Sequence, residues 1–168
     1  MSNAPFQIVP VGTAADLGAV KRLFTAYASG LGIDLSYQGF DEELAGLPGK
    51  YAGPSGVLLI ARGIDGEPLG CVALRPLDDA GRCEMKRLYV SPQARGSGLG
   101  KVLVDAIVKE ATRIGYREMR LDTLPTMTGA ISLYRKAGFL PIDPYYETPV
   151  AGTIFMGRRL DAGDDFKP

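Results

Sequence analysis

Gln93-Ala-Arg-Gly-Ser-Gly-Leu-Gly-Lys101 decides how the rest of the chain is read. Three glycines at alternate positions, Gly96, Gly98 and Gly100, follow the apolar run Leu88-Tyr89-Val90, with Ser91-Pro92 at the junction. A helical apolar repeat begins at Leu99. A strand, a glycine turn and a helix start bring free backbone N–H groups and the positive end of a helix dipole to one place. That combination is a cradle for phosphate.

The neighbouring segments extend this reading. Leu99, Val102, Leu103, Ala106, Ile107, Ala111 and Ile114 form one stripe opposite Lys101, Asp105, Lys109 and Arg113, which predicts a helix ending at Gly115. Upstream, a regular strand over residues 82–90 places Glu84, Lys86, Leu88 and Val90 on one face and Cys83, Met85, Arg87 and Tyr89 on the other. Further out, the periodicity predicts a strand at 6–11 and a helix at 14–30, with Thr13 and Asp16 arranged as a cap. A shorter helix follows at 41–47, then strands at 57–62 and 69–75 joined by a turn at 63–66. A strand at 118–124, a helix at 128–137 and strands at 140–145 and 153–160 complete the order βααβββαβαββ. This is an α/β chain with one mixed sheet of about six or seven strands and about four helices. Residues 6–160 are expected to form one domain. The opening Met-Ser-Asn-Ala reads as a tag remnant within residues 1–5, and 161–168 as a polar tail.

Composition narrows the chemistry. Lys plus Arg equals Asp plus Glu at 19 each, so there is little electrostatic drive toward nucleic acid or an anionic membrane. No apolar run spans a bilayer. Cys71 and Cys83 fit no metal or redox spacing and read as buried thiols of a cytoplasmic protein. Histidine is absent (His 0), which excludes Ser-His-Asp and Cys-His machinery and histidine-ligated metal, and no metal is expected. A general base must then be a carboxylate, tyrosine, lysine, terminal amine or water.

Three phosphate motifs compete for the loop. A Walker loop fails because Arg95 stands at its first glycine and Val102 where Ser or Thr must meet magnesium. A dinucleotide fingerprint fails because Lys101 occupies its third glycine position and the loop lies mid-chain. The third pattern, [QR]-x-x-G-x-[GA], is met by Arg95-Gly-Ser-Gly98-Leu-Gly100. With Leu133-Tyr134-Arg-Lys-Ala-Gly138-Phe139 downstream, the chain resembles the GNAT superfamily of acyl-CoA-dependent N-acetyltransferases. The likeness is good over residues 71–139 and looser on either side.

The resemblance implies an enzyme that moves an acetyl group from acetyl-CoA to a primary amine, with a small-molecule acceptor, no nucleic acid and no membrane. The backbone of Leu88, Tyr89 and Val90 would meet the pantetheine arm. Backbone N–H groups of Arg95, Gly96, Ser97, Gly98, Leu99, Gly100 and Lys101 would take the pyrophosphate, and the Arg95 side chain would add charge. Strands 82–90 and 118–124 would splay to admit the thioester, with an N–H near Leu88 polarising its carbonyl. Glu84 is the first candidate base and Tyr134 the donor to the departing sulfur. Each residue also has a plain structural reading: Tyr134 as a core aromatic, Glu84 as an ion-pair partner, Lys101 as a solvated helix cation. One departure is Met127, where many members carry asparagine. Two alternatives stand beside this reading: a non-catalytic acyl-CoA-binding regulator, and an enzyme acting on a protein N-terminus or lysine. Asp34, Tyr37, Tyr145, Tyr146 and Glu147 suit a cationic acceptor, whereas Arg75, Lys86 and Arg87 suit a carboxylate. A monomer or a homodimer paired through the last strands is expected.

Overall fold

The computed structural model describes residues 5–78 and 80–160, so most of the expected tag remnant and the tail at 161–168 lie outside the described residues. Eleven regular elements follow the expected order: β1 (Phe6–Pro10), α1 (Ala14–Leu31), α2 (Phe40–Ala45), β2 (Val57–Gly63), β3 (Pro68–Pro76), β4 (Arg82–Val90), α3 (Leu99–Ile114), β5 (Glu118–Thr123), α4 (Thr128–Lys136), β6 (Leu140–Pro141) and β7 (Ile154–Arg159). The strands form one sheet in the order β1-β2-β3-β4-β5-β7-β6. Every pairing is antiparallel except β4 with β5, whose connection runs through α3. Among the described residues no helix is long and apolar enough to cross a membrane.

Strand alternation divides the core into two layers. Leu59, Ala61, Val72 and Leu74 pack with Leu103 and Ile107 of α3, while Leu58, Ile60, Cys71 and Ala73 pack with Val20 and Phe24 of α1. Leu103 and Ile107 are fully buried, which contributes about 1.5–3 kcal/mol each. The α1 start is capped as expected: Asp16 N–H donates to Thr13 Oγ1 and Gly12 N–H to Asp16 Oδ2, each at 3.0 Å. Both cysteines are free and buried.

The strand expected at 140–145 is shorter, because β6 ends at Pro141. Pro141 and Pro144 lack the N–H a strand needs, so the chain leaves the sheet and carries Tyr145 and Tyr146 as a loop. Leu35–Gln38, which carries a residue of the site, forms an unforeseen 3-10 turn closed by Gly39.

The main departure lies in β4. Gly70 pairs with Val90 and Cys71 with Tyr89, but Ala73 pairs with Lys86, so β4 holds one extra residue. This bulge centres on Arg87, the one non-glycine residue with positive φ among the described residues, at 61°. The regular alternation expected for residues 82–90 is therefore corrected. Cys83, Met85, Leu88 and Val90 face the α3 layer, while Glu84, Lys86, Arg87 and Tyr89 face the side of α1 and α2. Glu84 does not share a face with Leu88 and Val90.

Arg87 holds the bulge in place. Its guanidinium makes a two-pronged pair with Glu43 of α2, at 3.0 Å and 2.8 Å, and lies over the rings of Tyr27 and Phe40. Tyr51 adds a hydroxyl donor to Glu43 at 3.0 Å. Burial pushes the Glu43 carboxyl up, but the hydrogen bonds and charge of Arg87 outweigh it and hold the group below 4.5. Replacing Arg87 with Met strands a buried carboxylate and is expected to cost about 3–5 kcal/mol in urea unfolding at neutral pH. A carboxyl held low in the folded state stabilises above its unfolded value and ceases to do so as pH falls through the folded one. The stability gap between wild type and Glu43→Gln should therefore shrink as pH drops below about 4.5. A pH-independent gap would contradict this role for the pair.

Candidate active site

β4 and β5 pair over three rungs only, Arg82 with Glu118, Cys83 with Met119 and Glu84 with Arg120. Past Glu84 the strands part, because the bulge bends β4 and increases its twist. The opening is a narrow cavity of about 20 Å³ bordered by Met85, Lys86, Leu88, Asp122, Thr123, Met127 and Tyr134. It shares Tyr27, Leu88 and Met127 with an open groove of about 460 Å³ that lies between the end of α1 and the starts of α3 and α4. That groove runs past Tyr89, Val90, Arg95, Gly96, Gly98, Leu99 and Gly100.

The glycine loop is built to present donors. Gly96 and Gly98 adopt φ of 82° and 88°, a left-handed conformation that L side chains resist, so successive N–H groups turn into one concavity. Among the described residues no protein acceptor takes the N–H of Gly96, Gly98, Gly100 or Lys101. These N–H groups sit at the N-terminus of the sixteen-residue α3. Ser91 N–H donates to Leu69 on β3, which turns the N–H and C=O of Val90 toward the gap. Arg95 lies over the Tyr89 ring at 5.8 Å and donates through Nε to the Val90 carbonyl at 3.0 Å. The Ser97 and Lys101 side chains bond within the protein: Ser97 Oγ donates to the Ala94 carbonyl, and exposed Lys101 pairs with Asp105 at 2.7 Å. Of the backbone N–H groups expected to serve, those of Arg95, Ser97 and Leu99 are already taken, by the Pro92 and Ala94 carbonyls at 3.3 Å and by Ser97 Oγ at 3.4 Å.

Tyr134 comes to the gap as the resemblance implied. It is 7% exposed and packs edge-on to Phe139, yet among the described residues its hydroxyl has no hydrogen-bond partner. Burial pushes its ionisation well above the usual phenol value, so it stays protonated and able to donate. Met127 caps α4 without a side-chain hydrogen bond to the helix, and its Sδ accepts from Thr123 Oγ1 at 3.8 Å.

On the opposite face the polar groups form a chain of pairs. Glu84, 1% exposed, takes Arg75 Nε and Nη2 on Oε1 at 2.9 Å and 2.8 Å, and the Tyr145 hydroxyl on Oε2 at 2.7 Å. It lies behind the gap rather than along it. Tyr146 donates to Asp122 Oδ2 at 2.9 Å, and the rings of Tyr145, Tyr146 and Phe155 meet edge-on beside it. The opening is bordered by Asp122, Lys86 and Gln38, none of which stood among the expected catalytic residues. Asp122 was detectable in principle as the inward polar residue following Glu118 and Arg120 at alternate positions of β5. Gln38 had no such signal. Among the described residues no cluster of His, Cys, Asp or Glu is placed to hold a metal ion.

Residues 20–139 match the profile of the acetyltransferase (GNAT) family. The chain is 42% identical over 160 residues to an uncharacterized N-acetyltransferase of Schizosaccharomyces pombe, covering 95% of this chain and 98% of that one. Its fold is similar to a GNAT-family acetyltransferase of Staphylococcus aureus, with a TM-score of 0.77, 18% identity and coverage of 93% and 99%. It is also similar to YncA of Salmonella typhimurium, solved with its cofactor acetyl-CoA, with a TM-score of 0.70, 21% identity and 95% of each chain covered. The split sheet, the glycine loop and these likenesses agree: the chain belongs to the acetyltransferase (GNAT) family and is an acyltransferase of the N-acetyltransferase kind.

Proposed function

We propose that this protein transfers an acetyl group from acetyl-CoA to the primary amine of a small molecule. One observation carries the reading. The unpartnered N–H groups of the glycine loop and the unpartnered Tyr134 hydroxyl border two openings that share Leu88 and Met127. YncA, with acetyl-CoA bound on the same fold, supports the choice of donor.

Each residue then has a task that its surroundings fit. The loop N–H groups and the α3 dipole hold the pyrophosphate, and the groove admits the pantetheine arm beside Val90. An N–H near Leu88 meets the thioester oxygen as charge develops there. Tyr134 donates its proton or a hydrogen bond to the sulfur as the carbon–sulfur bond breaks. The amine enters from the α1 and α2 side and gives up a proton as the carbon–nitrogen bond forms. We assign that proton to Asp122, whose Oδ1 has no protein partner among the described residues. Glu84 can take it only through the Tyr145 hydroxyl, because all its close contacts are donors.

Calorimetric titration with acetyl-CoA, followed by thiol release across a panel of amines, tests the proposal. We expect saturable binding and turnover with at least one small amine. No binding at millimolar acetyl-CoA would overturn it, and binding without turnover would make the protein an acyl-CoA-binding module. Tyr134→Phe should lower kcat about 10²-fold while leaving the acetyl-CoA dissociation constant within about twofold. An unchanged kcat would remove Tyr134 from the chemistry. Asp122→Asn should lower kcat about 10²-fold with acetyl-CoA binding retained, and Glu84→Gln should lower it far less. The reverse pattern would return the base role to Glu84.

A further inference from the structure

The face that receives the acceptor is a row of charges already satisfied in pairs, with two left over. Arg75 is matched by Glu84, Arg87 by Glu43, and Arg120 by Glu118. Among the described residues, Lys86 has no carboxylate and Asp122 no cation within 4.0 Å. Both border the gap where the strands part.

Lys86 is the more unusual of the two. The residue is 8% exposed, and its ammonium gives one hydrogen bond, to Gln38 Oε1 at 3.1 Å. Arg87 Nη1 shares that same oxygen at 3.0 Å. An ammonium carries three donors, and burying one with donors unused is costly unless something else meets them. Burial pushes its ionisation down, and the charges of Glu84 and Asp122 counter the shift. The bulge at Arg87 turns Lys86 and Arg87 to the same side, and Glu43 neutralises only Arg87. One buried positive charge therefore remains beside the place where an amine must attack.

We propose that the acceptor is an α-amino acid or close analogue, its carboxylate held by Lys86 Nζ and its amine presented to Asp122. The inference rests on the transfer reading above and names the substrate class for it. The two unmatched charges line one opening and do not pair with each other within 4.0 Å, so a zwitterion can meet both. A positive charge close to the bound amine also favours its neutral, nucleophilic form. A peptide or protein N-terminus has no adjacent carboxylate and leaves Lys86 unmet.

The test uses matched acceptors: each free amino acid, its amide and its decarboxylated amine, assayed by CoA thiol release. The amide's amine is the less protonated at neutral pH, so reactivity alone favours the amide. We expect the opposite, with kcat/KM at least tenfold higher for the preferred amino acid. Lys86→Met should bring that ratio close to one by raising KM for the amino acid, with KM for acetyl-CoA unchanged, and Lys86→Arg should restore part of it. Amides or plain amines used as well as acids, or a ratio that survives Lys86→Met, would overturn the proposal. Calorimetry of N-acetyl amino acids and their amides onto the protein, with and without CoA, reads the same contact without turnover. Acids binding no tighter than amides would also overturn it. Loss of acetyl-CoA binding alone would strike at the transfer reading instead.

Discussion

The Arg87–Glu43 pair is the constraint on which the site depends. A non-glycine residue at φ 61° costs about 1–2 kcal/mol, and β4 adopts this strain in mid-strand. The cost is offset because Arg87 finds two carboxylate oxygens, the Gln38 amide and two aromatic faces at that position. The bulge in turn does two things. It ends the parallel ladder after Glu84, opening the sheet, and it reverses which side chains face each layer.

The opened sheet separates two chemistries. Toward the glycine loop lie backbone donors, an open groove and a phenol kept protonated by burial. Toward α2 lie ionised groups, most of them held in fixed pairs, with the Tyr145 and Tyr146 hydroxyls bonded to the carboxylates of Glu84 and Asp122. Fixed donors in a water-poor site act on developing charge without having to reorganise, so a few well-placed groups can dominate. The gap is the passage between the two, and Tyr134 and Asp122 both border it.

Much of this was legible in the sequence because it rests on local rules. The extent of α3, its Gly115 end and the Thr13 cap depend on near neighbours and agree with the expectation, although the buried stripe of α3 takes in Val104 and Val108 and leaves Val102 exposed. Tyr134 was found through its motif, and its place at the gap agrees with that. What failed depended on non-local pairing. No pattern in residues 82–90 announces the extra residue, because it is stabilised by Glu43 some forty positions away, and so Glu84 was assigned the wrong face. Within the glycine loop the N–H groups of Arg95, Ser97 and Leu99 find acceptors inside the turn, which the spacing of the glycines alone does not announce. Lys86 and Asp122 gain meaning only when the other charges are seen to be paired. The opposite charge sets expected for the acceptor site are thus reduced by neutralisation. Arg75 and Arg87 are occupied, and Tyr145 and Tyr146 donate to carboxylates of the protein.

Acetyl transfer on this fold requires the free N–H groups of the glycine loop to hold the donor's pyrophosphate. Amide proton–nitrogen NMR spectra recorded during titration with CoA, and in parallel with pantetheine, test it most directly. The account predicts that the amides of Gly96, Gly98, Gly100 and Lys101 move downfield with CoA and stay nearly unmoved with pantetheine, which lacks the pyrophosphate. Binding of CoA that leaves these four amides in place would contradict it.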